Sequence, residues 1–430
     1  MIITLFLGLF VGFPLAFVLI GVPTIFGVAS WGTSVFPMYV SRIYGLMSNY
    51  TLIAIPLFIF MGCMLEKTRL AEDLFDGMGL IFNRLRGGLA IGTVLISIIL
   101  AATTGIIAAS VTAGGLLALP EMLKHNYQKE LSLGTIAASG SLGIIIPPSI
   151  MLILYAAEAG LSVGKLFAGA ILPGVGLAII YILYIGIKCY LQPDVAPIKS
   201  KKESDNDGLI RLIHGLRGLL PASFLILSVL GAIFTGIVTP TEAAGAGSVG
   251  SIIIALAYRR LDWKKFKETV YLTLQITSMA MTVVVGATCF TGVFLGLGGG
   301  EAMTNIFSLL GFGPIGSMIL MMLIIFILGM FIDWMGILLI CLPLFLPIAD
   351  NFGFDPLWFA IMICINLQMS FLTPPFGYAL FVLKGISPPS IDITDIYKGI
   401  IPFVILQAIT LILCGVYPNI ILWLPKLLVG

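Results

Sequence analysis

The sequence predicts an all-α polytopic membrane protein built from two inverted-topology repeats. Each repeat carries a re-entrant helical hairpin and a transmembrane helix broken at a Pro-Pro pair. Three observations predict this. Of 430 residues 59% are hydrophobic and 10% charged, with a mean hydropathy of +1.14, far outside the soluble range. The Pro-Pro pair at 147–148 recurs 227 residues later at 374–375. Equivalent segments of the two halves carry opposite charge bias. Proline removes an amide donor and clashes with the preceding turn. Ser-Leu-Gly-Ile-Ile-Ile-Pro-Pro (141–148) and Ser-Phe-Leu-Thr-Pro-Pro (370–375) therefore cannot stay regular helices. The freed backbone groups are costly in hydrocarbon unless protein, water or an ion satisfies them. Interrupted apolar segments at matching places in two halves point to the binding site of a secondary transporter.

From the N-terminus, Ile2–Ile20 has no basic stretch ahead of it and no convincing cleavage site, so it reads as one retained helix. Leu52–Met64 is a further apolar span, and the amphipathic segment 65–86 carries Lys67, Arg69, Arg84 and Arg86. It reads as a surface helix, either a brace for a mobile part or an ordinary interfacial element. Sliding the second half by 227 residues places Pro120 on Pro347 and Leu52–Met64 on Ser278–Gly292. Gly169–Pro173 resembles Gly399–Pro402 after a small shift. The halves meet at 191–217, the most hydrophilic stretch, read as a solvated linker. Later spans include Leu219–Ile237, Val270–Phe290 and Gly399–Leu413.

Charge gives orientation, because cytoplasmic loops carry the Lys and Arg excess. With 191–217 inside, the basic loop 259–267 and segment 65–86 are also inside, whereas 292–313, the partner of 65–86, holds only Glu301. Equivalent segments thus face opposite sides. Segment 121–130 (Lys124, His125, Lys129) is again cytoplasmic, and its counterpart 348–357 (Asp350, Asp355) is outside. The apolar runs before them must enter and return. Hairpin one spans about 88–120, with its tip near Thr103-Thr104-Gly105; hairpin two spans about 315–347, with its tip near Gly329–Asp333. Of 22 basic residues, only Arg42, Lys165 and Lys426 then lie off the cytoplasmic side, and both termini are periplasmic.

These bounds divide the chain into 1–87 (scaffold helices and cytoplasmic arm), 88–165 (hairpin one and first broken helix) and 166–217 (a helix and the linker). The second half divides into 218–314 (scaffold and periplasmic arm), 315–398 (hairpin two and second broken helix) and 399–430 (C-terminal helix).

Six scattered cysteines read as small buried residues, and His125 and His214 as surface residues. No nucleophile elbow, HExxH or Walker A motif occurs. Work must come from an ion gradient or a partner, and the net charge of +2 makes nucleic acid an unsuited partner. Two tips and two breaks near the bilayer midplane offer hydroxyls and carbonyls to Na⁺, and half-helix N-termini to an anion. The candidate ion ligands are Thr104, Gly105, Ser110, Ser141, Gly143, Pro147, Gly329, Asp333, Asn366 and Thr373. Thr103, Thr104, Pro148, Pro374 and Pro375 are the candidate substrate residues. The competing reading for each Ser and Thr is a bond to its own helix backbone. Asp333, a carboxylate at a hairpin tip, either handles Na⁺ or a proton, or caps the second arm; the roles are compatible. Asn366 is placed to reach the hairpin tip or the unwound segment. Glu242 in Thr239-Pro240-Thr241-Glu242 reads as a helix cap, and Glu158 as exposed. Gly292, Gly296 and Gly298–Gly300 read as a hinge or as a loop needing positive φ.

Gly-Ser-Leu-Gly-Ile-Ile-Ile-Pro-Pro-Ser (140–149), Thr-Pro-Thr-Glu-Ala-Ala (239–244), Gly-Met-Phe-Ile-Asp (329–333) and Asn-Leu-Gln-Met-Ser-Phe-Leu-Thr-Pro-Pro-Phe-Gly (366–377) together resemble the large membrane subunit of TRAP (tripartite ATP-independent periplasmic) transporters. The resemblance spans essentially the whole chain. It implies a Na⁺-driven elevator transporter of the ion transporter superfamily in the bacterial inner membrane. The implied partners are a small four-helix membrane subunit, a periplasmic substrate-binding protein and an organic anion such as a C4-dicarboxylate or sialic acid. No cofactor is implied beyond Na⁺ as coupling ion. The hydroxyl-rich tip of the family maps onto Thr104–Ile107, and this chain has Ile106 and Ile107 where serines are usual. That shifts the burden to Thr104, Ser110 and backbone carbonyls. A stand-alone Na⁺- or H⁺-coupled dicarboxylate or citrate carrier would share these repeats. A proton-conducting or structural subunit would need ionisable residues strung through several helices, whereas Asp333 is nearly alone.

Overall fold

A computed structural model describes residues 1–67, 85–105, 107–197, 208–375 and 377–429. Most of the arm segment 65–86 and the middle of the linker, 198–207, therefore lie outside the described residues, as does Ile106. All regular structure among the described residues is helical. Among the described residues eight helices are long and apolar enough to cross a membrane, or nine if a bent pair counts as one span.

The predicted single helix Ile2–Ile20 is two helices, α1 (Ile2–Phe10) and α2 (Leu15–Trp31). Gly12 at φ +96° and the extended Pro14 at the start of α2 turn the chain between them. The scaffold continues with α3 (Val35–Met47) and α4 (Tyr50–Lys67).

Hairpin one is α5 (Gly88–Thr104) and α6 (Ile107–Lys124), turning at Gly105 with φ +60°. A β-carbon at that φ would be strained, which suits glycine to the tip. The two ends of the hairpin lie at the same end of the molecule: the Leu89 N–H donates to Tyr127 Oη at 3.3 Å. Next door, the Gln128 N–H donates to Val195 O at 2.9 Å. The run goes in and comes back, as its flanking charges require.

The first broken helix is α7 (Lys129–Ser141), a 3₁₀ turn at Leu142–Ile144, and α8 (Ile150–Ala159). At 1.5 Å per residue the two halves are roughly 20 and 15 Å long, so the break falls near the middle of a 30 Å hydrocarbon layer. Ser149 holds it together, donating to Ile144 O at 2.6 Å and accepting the Leu152 N–H at 3.4 Å. Glu158 is half-buried, contrary to expectation; its short helix is wedged among α4, α9 (Val163–Leu191) and the second arm of hairpin two.

The predicted linker shortens at its far end, because α10 begins at Gly208 and runs to Phe234. Then comes α11 (Pro240–Ala257), opened by a capping box in which the Glu242 carboxylate accepts the Thr239 N–H at 2.7 Å. Helix α12 (Trp263–Gly296) leads into the outer arm α13 (Gly299–Leu310). Gly292 and Gly296 lie inside α12, packed on Arg42 and Trp31; only Gly298, at φ +79°, makes the turn.

Hairpin two follows at a 119° bend. Its arms are α14 (Gly313–Gly329) and α15 (Trp334–Asn351), and the ring of Phe307 in α13 meets that of Phe345 in α15 at 6.3 Å. The second broken helix is α16 (Pro356–Ser370) and α17 (Tyr378–Ile386). Helices α18 (Ile393–Val416) and α19 (Asn419–Leu428) end the chain.

The repeat extends into packing. Gly134 of α7 lies so close to Gly399 of α18 that a Cβ on either would overlap the facing backbone. The residues 227 positions on from α7 pack likewise: Gly169 of α9 lies against Ile361 of α16, its would-be Cβ 3.5 Å from Ile361 Cγ1. Each long helix after a broken one thus packs on the broken helix of the other half.

Candidate functional site

Each hairpin tip lies against the break of its own half. At the first, a Cβ on Gly105 would sit 3.4 Å from Pro148 O and 3.5 Å from Ile150 N. A Cβ on Gly143 would sit 3.4 Å from Ala101 Cα and 3.6 Å from Ser110 Oγ. Gly105, Ser110, Ser141, Gly143, Pro147 and Pro148 are thus brought together, and all are buried. Thr103 and Thr104 are the last two residues of α5, immediately before Gly105.

At the second break, a Cβ on Gly329 would overlap the Ser370 side chain. Residues 329 and 370 correspond to Ala102 and Gly143 of the first repeat. The two halves differ here: at the first break Gly143 meets Ala101, one residue before Ala102, and the glycine stands on the hairpin in one half and on the broken helix in the other. Asp333 is the N-cap of α15, its Oδ2 accepting the Met335 N–H at 3.2 Å. The capping role is therefore present, and the side chain is exposed. Thr373 and Pro374 are half-buried and Pro375 exposed, so the second break is open where the first is sealed. The Pro375 carbonyl accepts the Tyr397 hydroxyl at 2.9 Å.

Asn366 does not reach the hairpin-two tip. Its Nδ2 donates to Met322 O at 2.7 Å, two turns back along α14. Its counterpart Ser139 donates to Ser97 Oγ at 3.0 Å, seven residues before Thr104 in α5. The two bonds are matching struts between a broken helix and the first arm of its own hairpin. Ser141 and Thr373 do bond their own backbone, at 2.8 Å to Ala138 O and 2.8 Å to Met369 O. Their oxygens keep lone pairs for a further partner.

One residue was missed. The Gln368 Nε2 donates to Ser141 Oγ at 3.3 Å across 227 residues, so two repeat-equivalent positions touch. Repeat mates can meet only on the pseudo-two-fold axis, which therefore passes between them. Gln368 is fully buried, and its Oε1 finds no donor among the described residues, a cost of about 1–3 kcal/mol. The signal was present in the register itself, since the Pro-Pro alignment sets Ser141 opposite Gln368.

No group of three or more His, Cys, Asp or Glu side chains that could hold a metal exists among the described residues. The available ligands are hydroxyls, carbonyls, the amides of Asn366 and Gln368, and Asp333, a set that fits a hard cation such as Na⁺ and not a thiophilic metal.

The fold is that of known transporters. The chain superimposes on the Alcanivorax borkumensis YdaH transporter with a TM-score of 0.65 at 13% identity, covering 94% of this chain and 96% of that one. It superimposes on Neisseria gonorrhoeae MtrF, described as illuminating a class of antimetabolite efflux pumps, with a TM-score of 0.63 at 14% identity, covering 92% and 85%. Among sequence relatives, the C4-dicarboxylate TRAP transporter large permease protein DctM of Vibrio cholerae is 32% identical over 89% of this chain and 87% of its own. The sialic acid TRAP transporter large permease protein SiaM of the same organism is 28% identical over 98% and 97%. The isethionate TRAP transporter permease protein DctMQ of Oleidesulfovibrio alaskensis is 31% identical over 95% of this chain and 65% of its own. The family profile described as the tripartite ATP-independent periplasmic transporter, DctM component, matches residues 1–420. With its two tips, two breaks and multi-pass helical fold, the chain belongs to the DctM family of TRAP transporter large permeases.

Proposed function

We propose that this chain is the translocating subunit of a Na⁺-coupled uptake system for an organic anion, a carboxylate such as a dicarboxylate or sialic acid. It works in the bacterial inner membrane with a small four-helix membrane subunit and a periplasmic binding protein. The observation that carries this is the apposition of each hairpin tip to the broken helix of its own half, with the two breaks meeting at a pseudo-two-fold axis. Such an arrangement collects uncharged oxygens and half-helix ends at mid-membrane, where a cation and an anion can be held together. The names of relatives support the substrate class, since dicarboxylate, sialic acid and isethionate are all organic anions.

Alternating access is an elevator movement of residues 88–165 and 315–398 against the scaffold helices. The contacts of α9 and α18 with the broken helices, at Gly169–Ile361 and Gly134–Gly399, carry those two helices along with the moving body. Helices α4 and α12, themselves repeat mates, line its track by packing on α5, α8 and α15. The charge distribution supports periplasmic termini. The test is uptake into proteoliposomes containing both membrane subunits and supplied with the binding protein. Uptake is expected only with a Na⁺ gradient and the binding protein; uptake without either overturns the reading.

A further inference from the structure

Gln368 holds the second repeat to the first break. Its Nε2 is committed to Ser141 Oγ, and Ser141 gives its own proton to Ala138 O at 2.8 Å. The remaining amide oxygen is fully buried with no donor among the described residues. Amide oxygen and nitrogen share one carbon, so Oε1 lies within about 6 Å of Ser141 Oγ. Ser141 ends α7 at the mouth of the first break, and Gly143, two residues on, lies against Ser110 of hairpin one. An acceptor left free in so dry a place calls for a small electron-poor ligand. With no acidic or thiol cluster nearby among the described residues, the surrounding donors suit a monovalent hard cation.

We infer that Gln368 supplies an oxygen ligand from the second repeat to the cation site at the first break. The inference rests on the Na⁺-coupled reading given above. It makes the first site a joint product of both halves. No reciprocal ligand reaches the second break by the same route, because the mate of Gln368 is Ser141, a shorter side chain whose proton is already placed. The two cation sites are therefore unequal in composition and in affinity. Release of the ion at the first break also frees an axial side chain that touches both broken helices, so loading of one half is felt in the other.

The test uses the complete system in proteoliposomes, with Na⁺ titrated at saturating substrate and binding protein, alongside Na⁺-dependent thermal stabilisation of the purified membrane subunits. Gln368→Leu is expected to raise half-saturating Na⁺ about tenfold or more, to abolish most of the Na⁺-induced stabilisation, and to leave substrate half-saturation at high Na⁺ within about twofold. Gln368→Glu retains an oxygen at the position and is expected to keep or tighten Na⁺ binding, so it reports even if the leucine variant fails to fold. Wild-type half-saturation and stabilisation in Gln368→Leu would overturn the inference, as would a loss of Na⁺ response in Gln368→Glu equal to that of the leucine variant. Na⁺-independent uptake by the unaltered protein would instead overturn the coupled reading itself.

Discussion

Gly329→Ala places a methyl group where Ser370 already stands. The added carbon would overlap both Oγ and Cβ of Ser370, and a β-carbon cannot be rotated out of the way. Ser370 is fully buried and donates to Leu367 O at 2.7 Å, so relief requires hairpin two to lift from the break. Overpacking of this kind costs about 1–3 kcal/mol. If the cost falls on the form in which the tip is seated, the population of that form drops roughly 5- to 150-fold. Adding Ser370→Gly removes the obstacle and places at these positions the residue types of the first repeat, Ala102 and Gly143. The double variant is expected to recover uptake to within about threefold of the unaltered protein, since small-for-large exchange at conserved volume costs under about 1.5 kcal/mol. Uptake rate in proteoliposomes and thermal unfolding of the purified protein measure the two consequences separately. A fully active Gly329→Ala, or a double variant no better than the single one, would refute the close approach of hairpin two to the break at Ser370.

Gly134→Val is expected to lower the unfolding temperature markedly, because its side chain would enter the Gly399 backbone, whereas Gly176→Val, with nothing within 4 Å of its would-be Cβ, is a neutral control. Asp333→Asn keeps an acceptor for the Met335 N–H and should match the unaltered protein in thermal stability, while Asp333→Ala loses about 1 kcal/mol of capping; if the carboxylate handles the coupling ion or a proton, both lose uptake, and full activity of Asp333→Asn refutes that role. Thr239→Ala opens the capping box of α11 and is expected to cost about 0.5–2 kcal/mol with uptake unchanged below the unfolding transition.

The repeat, the two hairpins and the two breaks were legible because each rests on a local and strong physical signal. Proline's missing donor acts wherever it stands, and the basic residues sort by side whatever the tertiary packing. The capping box at Thr239 was likewise complete within four residues. Contacts set by three-dimensional approach were not legible. Nothing local distinguishes Gly134 or Gly329 from glycines that face lipid, and the target of Asn366 depends on how α14 leans on α16. Gln368, an uncharged amide in an apolar helix, carries no local signal of its own. Only the register of the repeat marked it. The turn at Val11–Pro14 was passed over because the apolar composition continues through it, and composition does not resolve direction. Glu158 was assigned to the surface from its place near a helix end, and burial at helix ends is decided by neighbouring elements.

The meeting of Ser141 with Gln368 has a consequence for motion. In inverted-repeat proteins the opposite-facing forms are related by letting each half adopt the conformation of the other. Under that exchange a contact away from the axis is carried to the matching pair of the other half, so one made in only one half must break and re-form. A contact between repeat mates is carried onto itself. In the proposed cycle the hydroxyl–amide bond therefore has no need to be severed, which suits it to be a pivot common to both ends of the journey. Two separate, identical chains would place identical groups at such a point. Joining the halves in one chain lets a serine face a glutamine there, and fixes a direction in a device whose outline is nearly symmetric.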